Sequence, residues 1–135
     1  MATASEKTDV MSAVQKWDDG FNTGDIKMAS VWCADETSII DDLPPHEWHG
    51  AGACSRWMGD ALEFFKKTGL TDVKSTLGKP RHVDVAGDLA YVVVPATLTY
   101  KDKGKPSRDK PATVTMSLKT TASGWRITGW AWADG

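Results

Sequence analysis

Cysteine, tyrosine and phenylalanine are scarce in this 135-residue chain, at two, two and three residues. Two cysteines cannot build the dense disulfide framework that staples small secreted domains. Neither Cys33 nor Cys54 has an adjoining histidine or basic residue, which argues against an activated nucleophile. Both fall in segments that read as helices, so the expectation is two small buried thiols, with a disulfide or a nucleophile as the alternatives. An excess of positive charge is missing too. A formal net charge of -2 leaves no basic footprint for nucleic acid. No apolar run approaches the roughly 20 residues that span a bilayer, so no membrane partner is expected. The opening M-A-T-A-S-E-K-T-D lacks a basic start and an apolar core, which argues against a secretory signal and leaves the cytoplasm as the expected location.

Tryptophan is abundant instead, with seven residues. A buried indole N–H needs a partner, so an indole-rich domain suggests an aromatic-walled cavity as well as a core. The length suits one domain, residues 1–135, large enough to bury a continuous core.

Val10, Val14, Trp17 and Phe21 recur at spacings of four, three and four, an apolar helical stripe over residues 3–20. Thr3 with Glu6 forms a candidate capping box, while Gly20 and Gly24 supply stop signals. Asp25 suits the N-cap of a short helix through Trp32. Thr37 to Asp41 is β-branched and reads as a strand, broken by Leu43-Pro44-Pro45, and His46 to Gly50 allows a small hairpin arm. A third helix, Ala51 to Lys67, carries Ala53, Trp57, Ala61 and Phe64 on one face and closes at Gly69. The period then changes to two. Thr71–Val85, Leu89–Tyr100, Thr113–Thr121 and Trp125–Ala133 read as strands separated by turn material. Residues 101–110, polar and charged, read as an exposed hairpin loop. Pro95 inside a strand predicts an edge or a bulge, and Gly129 predicts a bulge that lets Trp130 and Trp132 rejoin the face of Trp125 and Ile127. The order implies an α+β fold, three N-terminal helices packed on a strongly curved, mainly antiparallel sheet.

These segments resemble the nuclear transport factor 2-like superfamily of cone-shaped α+β barrels, which includes SnoaL-like cyclases, ketosteroid isomerases and scytalone dehydratases. The resemblance rests on F-N-T-G-D-I-K-M-A-S-V-W-C-A-D-E-T, W-H-G, G-D-L-A-Y-V-V-V and G-W-R-I-T-G-W-A-W-A, in that order along nearly the whole chain. It implies a conical cavity between helices and sheet, and a homodimer formed through the sheet. The Thr113, Thr115 and Ser117 face suits that contact, and Val114, Met116 and Leu118 face the interior.

Against the ketosteroid isomerases, A-D-E-T-S-I-I-D places Asp41 on the general base. A carboxylate in an apolar setting can shuttle a proton between carbon atoms. Asp42 reads as a cap of the following turn. Trp17 falls where the isomerases place an oxyanion-hole tyrosine, yet an indole is donor-only. Their second donor, an acid near residues 111–115, is missing, and Asp109 lies upstream in a charged loop; one such donor is worth about 3 kcal/mol. Scytalone dehydratases carry a tyrosine–aspartate pair on helix one, where this chain has Trp17 and Asp18. His82, on one strand face with Asp84, is a candidate acid or base near neutral pH. The H-E-W-H run at His46–His49 is one residue short of H-E-x-x-H, so no metal and no cofactor are expected.

The expected function is an aromatic-lined pocket for a small hydrophobic molecule, walled by Trp17, Phe21, Trp32, Trp57, Met116, Trp130 and Trp132. The alternative is an isomerase, cyclase or dehydratase with Asp41 as general base and His82 assisting.

Overall fold

A reciprocal capping box starts the chain's first helix. Glu6 N–H donates to the Thr3 hydroxyl, and the Thr3 N–H donates to the Glu6 carboxylate. The computed structural model describes residues 3–109 and 111–134. The first two residues of the N-terminal stretch, and Lys110 at the end of the charged run, lie outside them.

Helix α1 spans Ala4–Thr23 and stops at Gly24, whose φ of 74° is a left-handed conformation that suits glycine. Asp25 caps α2 (Ile26–Ser30) by accepting from the N–H groups of Lys27 and Met28. Gly20 is where the two helices meet; a Cβ there would lie 2.6 Å from the Ala29 backbone. Strand β1 (Cys33–Ile40) follows, then β2 (Glu47–Ala51), α3 (Ala53–Thr68), β3 (Leu70–Leu77), β4 (His82–Ala86), β5 (Leu89–Asp102), β6 (Lys105–Arg108), β7 (Ala112–Thr121) and β8 (Gly124–Asp134).

The eight strands form one sheet with the path β2-β1-β8-β7-β5-β3, and β4 and β6 also pair with β5. Among the described residues only the β1–β8 pair is parallel. Strand β5 organises the curl. One edge pairs with β7 and then β6, the other with β4 and then β3. Pro95 sits at the β4-to-β3 handover. Its carbonyl accepts from Gly78 N–H, so its missing donor faces that gap rather than a continuous ladder. In β8 the register against β7 shifts between Ser117 and Leu118, which pair with Gly129 and Ile127. That is the expected bulge, and Gly129 is needed because a Cβ would meet the Ser38 carbonyl at 2.8 Å.

The concave face carries the core. Val92 and Val94, Val114, Met116 and Leu118, and Ile127 and Trp130 are buried against Val10, Val14, Trp57 and Met58 of the helices. A fully buried aliphatic side chain of this kind contributes about 1.5–3 kcal/mol. Asn22, one turn beyond Asp18, welds α1 to β3. Its amide donates to the Ser75 carbonyl and accepts from the Ser75 N–H, as a neighbouring strand would.

Three expectations need correction. The run 71–85 is two strands, divided at Gly78-Lys79-Pro80 where the partner region of β5 changes. The charged run 101–110 contains β6, a ribbon with no apolar alternation because solvent reaches its side chains. Cys33 lies on a strand, and Cys33 and Cys54 are joined in a disulfide with Cα atoms 6.4 Å apart, which ties β1 to the start of α3.

Candidate functional site

Between the helices and the concave sheet lies a cavity of about 350 Å³. Helix α1 contributes Trp17, Asp18 and Phe21, and α3 contributes Trp57, Ala61, Phe64 and Phe65. Asp41 to Pro44, just past β1, form part of the rim. The remainder comes from the sheet: Leu70 and Ser75 of β3, Leu98 and Tyr100 of β5, Trp130 and Trp132 of β8, with Asp109 before β7. The apolar walls follow from the stripes that fold the helices, since Trp17 and Phe21 on α1 and Trp57 on α3 converge. Trp17 and Trp130 centroids are 4.8 Å apart, and Trp57 meets Trp130 edge-on at 4.9 Å.

Asp41 is on this cavity. Its Oδ2 accepts from the Trp57 indole N–H at 2.6 Å, and its Oδ1 from the Leu43 N–H at 3.2 Å. Its backbone is fixed as well, the N–H donating to the His46 carbonyl. The cap role expected of Asp42 thus falls to Asp41. Asp42 lies at the exposed rim, hydrogen-bonded to Asp41; that bond, with burial and like-charge repulsion behind it, raises its pKa to about 6. The donor that meets Asp41 is Trp57, not Trp17. The Trp17 N–H is buried with no hydrogen-bond partner among the described residues.

Asp18 is a site residue that the sequence pattern does not single out. It is 2% exposed. Burial raises its carboxyl pKa to about 6, opposed by the Ser75 hydroxyl and assisted by the negative charge of Asp19. A signal exists in its spacing: position 18 falls four residues after Val14 and three before Phe21, inside the apolar stripe. Asp109, which reads from sequence as a loop residue, also lines the cavity. Its carboxylate accepts from the Tyr100 hydroxyl at 2.9 Å, a bond that raises the phenol's pKa.

Of the expected residues, Trp17, Phe21, Trp57, Trp130, Trp132 and Asp41 converge on the cavity. His82, Trp32 and Met116 do not. His82 stands exposed on the outer sheet face, its ring 2.7 Å from Asp84, because its register partner Val93 points outward. Trp32 lies elsewhere, with Lys16 and Arg126 over its ring at 5.0 and 4.6 Å. Met116, 1% exposed, is core filling between its cross-strand neighbours Val92 and Trp130. Among the described residues no group of three His, Cys, Asp or Glu is arranged to hold a metal ion. His46 Nδ1 instead lies 3.0 Å from the Asp41 carbonyl. No helix among them is long and apolar enough to cross a membrane.

Comparison with known proteins fits this geometry. Residues 10–131 match the SnoaL-like domain family, and the chain belongs to that family. Solved structures share the fold at low identity. The protein Aln2 from a Streptomyces species is 12% identical, with a TM-score of 0.80 over 99% of this chain and 93% of that one. An NTF2-like protein with a cystatin-like fold from Novosphingobium aromaticivorans is 15% identical, with a TM-score of 0.79 over 96% and 81%. A nuclear transport factor 2-like superfamily protein from Salmonella enterica is 17% identical, with a TM-score of 0.75 over 99% and 94%. No curated protein matched the chain. Family and fold together support a ligand-binding or small-molecule-processing domain.

Proposed function

We propose that this domain binds a small, largely apolar molecule inside the cone, between the indoles of α1, α3 and β8. The observation that carries the reading is the cavity itself, about 350 Å³ with mostly apolar walls and a few fixed polar groups, as ligand sites generally are. Four of the seven tryptophans line it. Titration with polyaromatic or steroid-like compounds should therefore quench tryptophan fluorescence saturably. A complete lack of saturable quenching across such a panel would count against the pocket.

A second reading, proton transfer in an isomerase, cyclase or dehydratase, is favoured by Asp18. A buried carboxyl with a pKa of about 6 can take up and release a proton near neutral pH. Asp41 remains a candidate base in this reading, although both its oxygens already accept hydrogen bonds. The check is deuterium incorporation from heavy water next to the carbonyl of candidate ketones. Exchange lost in Asp18→Asn or Asp41→Asn supports catalysis, and no exchange above buffer rates leaves the binding reading alone.

The partner expected through the sheet is a second copy. On the outer face Ile40, Ala131, Thr115 and Val93 form one cross-strand row, with Tyr91 exposed nearby. The Cys33–Cys54 bond supports an oxidising setting in place of the cytoplasm expected from the sequence, since such bonds are rare in reducing compartments.

A further inference from the structure

The cavity is lined by carboxyl groups and, among the described residues, by no cationic side chain. Asp18, Asp41, Asp42 and Asp109 all line it, and no lysine, arginine or histidine does so among the described residues. His46 stands outside the lining beside Asp41, and four other cations are engaged elsewhere. Lys16 and Arg126 lie over Trp32, Lys74 donates to the Asn22 carbonyl, and Lys101 pairs with Asp72. The walls add to the imbalance, because eight of the lining side chains are aromatic and the face of an aromatic ring attracts cations.

From this arrangement we infer that the ligand is an organic cation, an amine or quaternary ammonium with an apolar body, held by aromatic faces and the cavity's carboxylates. The inference rests on the pocket reading above and narrows it. A neutral apolar molecule would gain the same wall contacts. It would leave the negative charge of the carboxylates beside it met only by neutral hydrogen-bond donors. A cation offsets that charge where it arises. Burial raises the Asp18 carboxyl, and the hydrogen bond with Asp41 followed by burial raises that of Asp42, against the opposing charge of His46.

Two probes of nearly identical shape test the inference: benzyltrimethylammonium, and neopentylbenzene, which has carbon in place of the nitrogen. Both are titrated at about pH 7.5 and low salt with tryptophan fluorescence as the readout, so that Asp18 and Asp42 are ionised. The cation is expected to bind about tenfold more tightly, the order of a desolvated cation–π contact with ion pairing. Asp18→Asn combined with Asp42→Asn should cut that preference severalfold while neopentylbenzene still binds, which also reports that the variant is folded. Lowering the unmutated protein to about pH 5 should cut it likewise. There Asp18 has Asp19 beside it, and Asp42 has Asp41 and His46. If the neutral probe binds as tightly as the cation or more so, the charge inference is overturned and the pocket reading survives. If neither probe binds, both fall.

Discussion

The indole N–H of Trp57 donates to the carboxylate of Asp41 at 2.6 Å, joining α3 to the segment that leaves β1. This bond fixes the acid at the cavity rim and turns an aromatic wall residue into its positioning group. A hydrogen bond to a charged group typically contributes about 1.5–3 kcal/mol, more than a neutral pair. Trp57→Phe keeps a ring against Phe21 and Trp130 and removes only the donor. In a double-mutant cycle with Asp41→Asn, the coupling energy read from denaturant unfolding should be about 1–2 kcal/mol. Strict additivity would show that the two side chains merely lie close.

Asp18 makes stability depend on pH in an unusual direction for a carboxyl. Its folded pKa is raised from the ordinary 3.8 to about 6, so between those values the folded state binds more protons than the unfolded chain. Stability from this group is full below about pH 4, falls as pH rises towards about 6, and is lost above that. Asp18→Asn should therefore stabilise the protein by about 2–3 kcal/mol at neutral pH and have little effect near pH 4. Urea unfolding at the two pH values measures this. Equal effects at both would mean that Asp18 is not held uncomfortably ionised.

The disulfide closes a loop of 21 residues between β1 and α3. In the chain-entropy account such a link is worth roughly 3 kcal/mol. Cys33→Ser with Cys54→Ser, or reductant on the unmutated protein, should lower the melting temperature by roughly 10 °C for a domain of this size. Alkylation followed by mass measurement reports the starting state. Two free thiols and a melting curve indifferent to reductant would refute the bond.

On the outer sheet face, Thr115 sits centrally in the row Ile40, Ala131, Thr115 and Val93. Thr115→Glu places a charge in the middle of a small, weakly polar surface that the homodimer would bury. Light scattering after size exclusion should give a dimer for the unmutated chain and a monomer for the variant. A variant that stays dimeric would move the interface elsewhere.

Local signals in the sequence are strong where neighbours in the chain decide the structure. The Thr3–Glu6 box, the Asp25 cap and the stops at Gly24 and Gly69 each lie within a turn of what they govern. The β-period of residues 89–100 and 113–121 is equally plain, since one face is buried. What escapes depends on distant pairing. The parallel match of Ile39 and Ile40 to Trp130 and Ala131 spans most of the chain. Strand β6 has backbone partners but no buried face, so it carries no alternation to read. Seven indoles can be counted, but not which N–H meets which acid; that Trp57 donates to Asp41 depends on how α3 packs against the segment after β1. Asp18 is an acid in an apolar stripe, where periodicity discounts polar residues, so only the dehydratase resemblance touches it.

The most direct test follows the seven indole N–H signals of nitrogen-15-labelled protein during titration with benzyltrimethylammonium. Trp17, Trp57, Trp130 and Trp132 line the cavity; Trp32, Trp48 and Trp125 do not, and Trp48 is occupied by Asp60. Saturable shifts of the first four, with the other three unmoved, are the predicted result. Shifts spread over all seven, or confined to the three outside, would contradict a ligand site inside the cone.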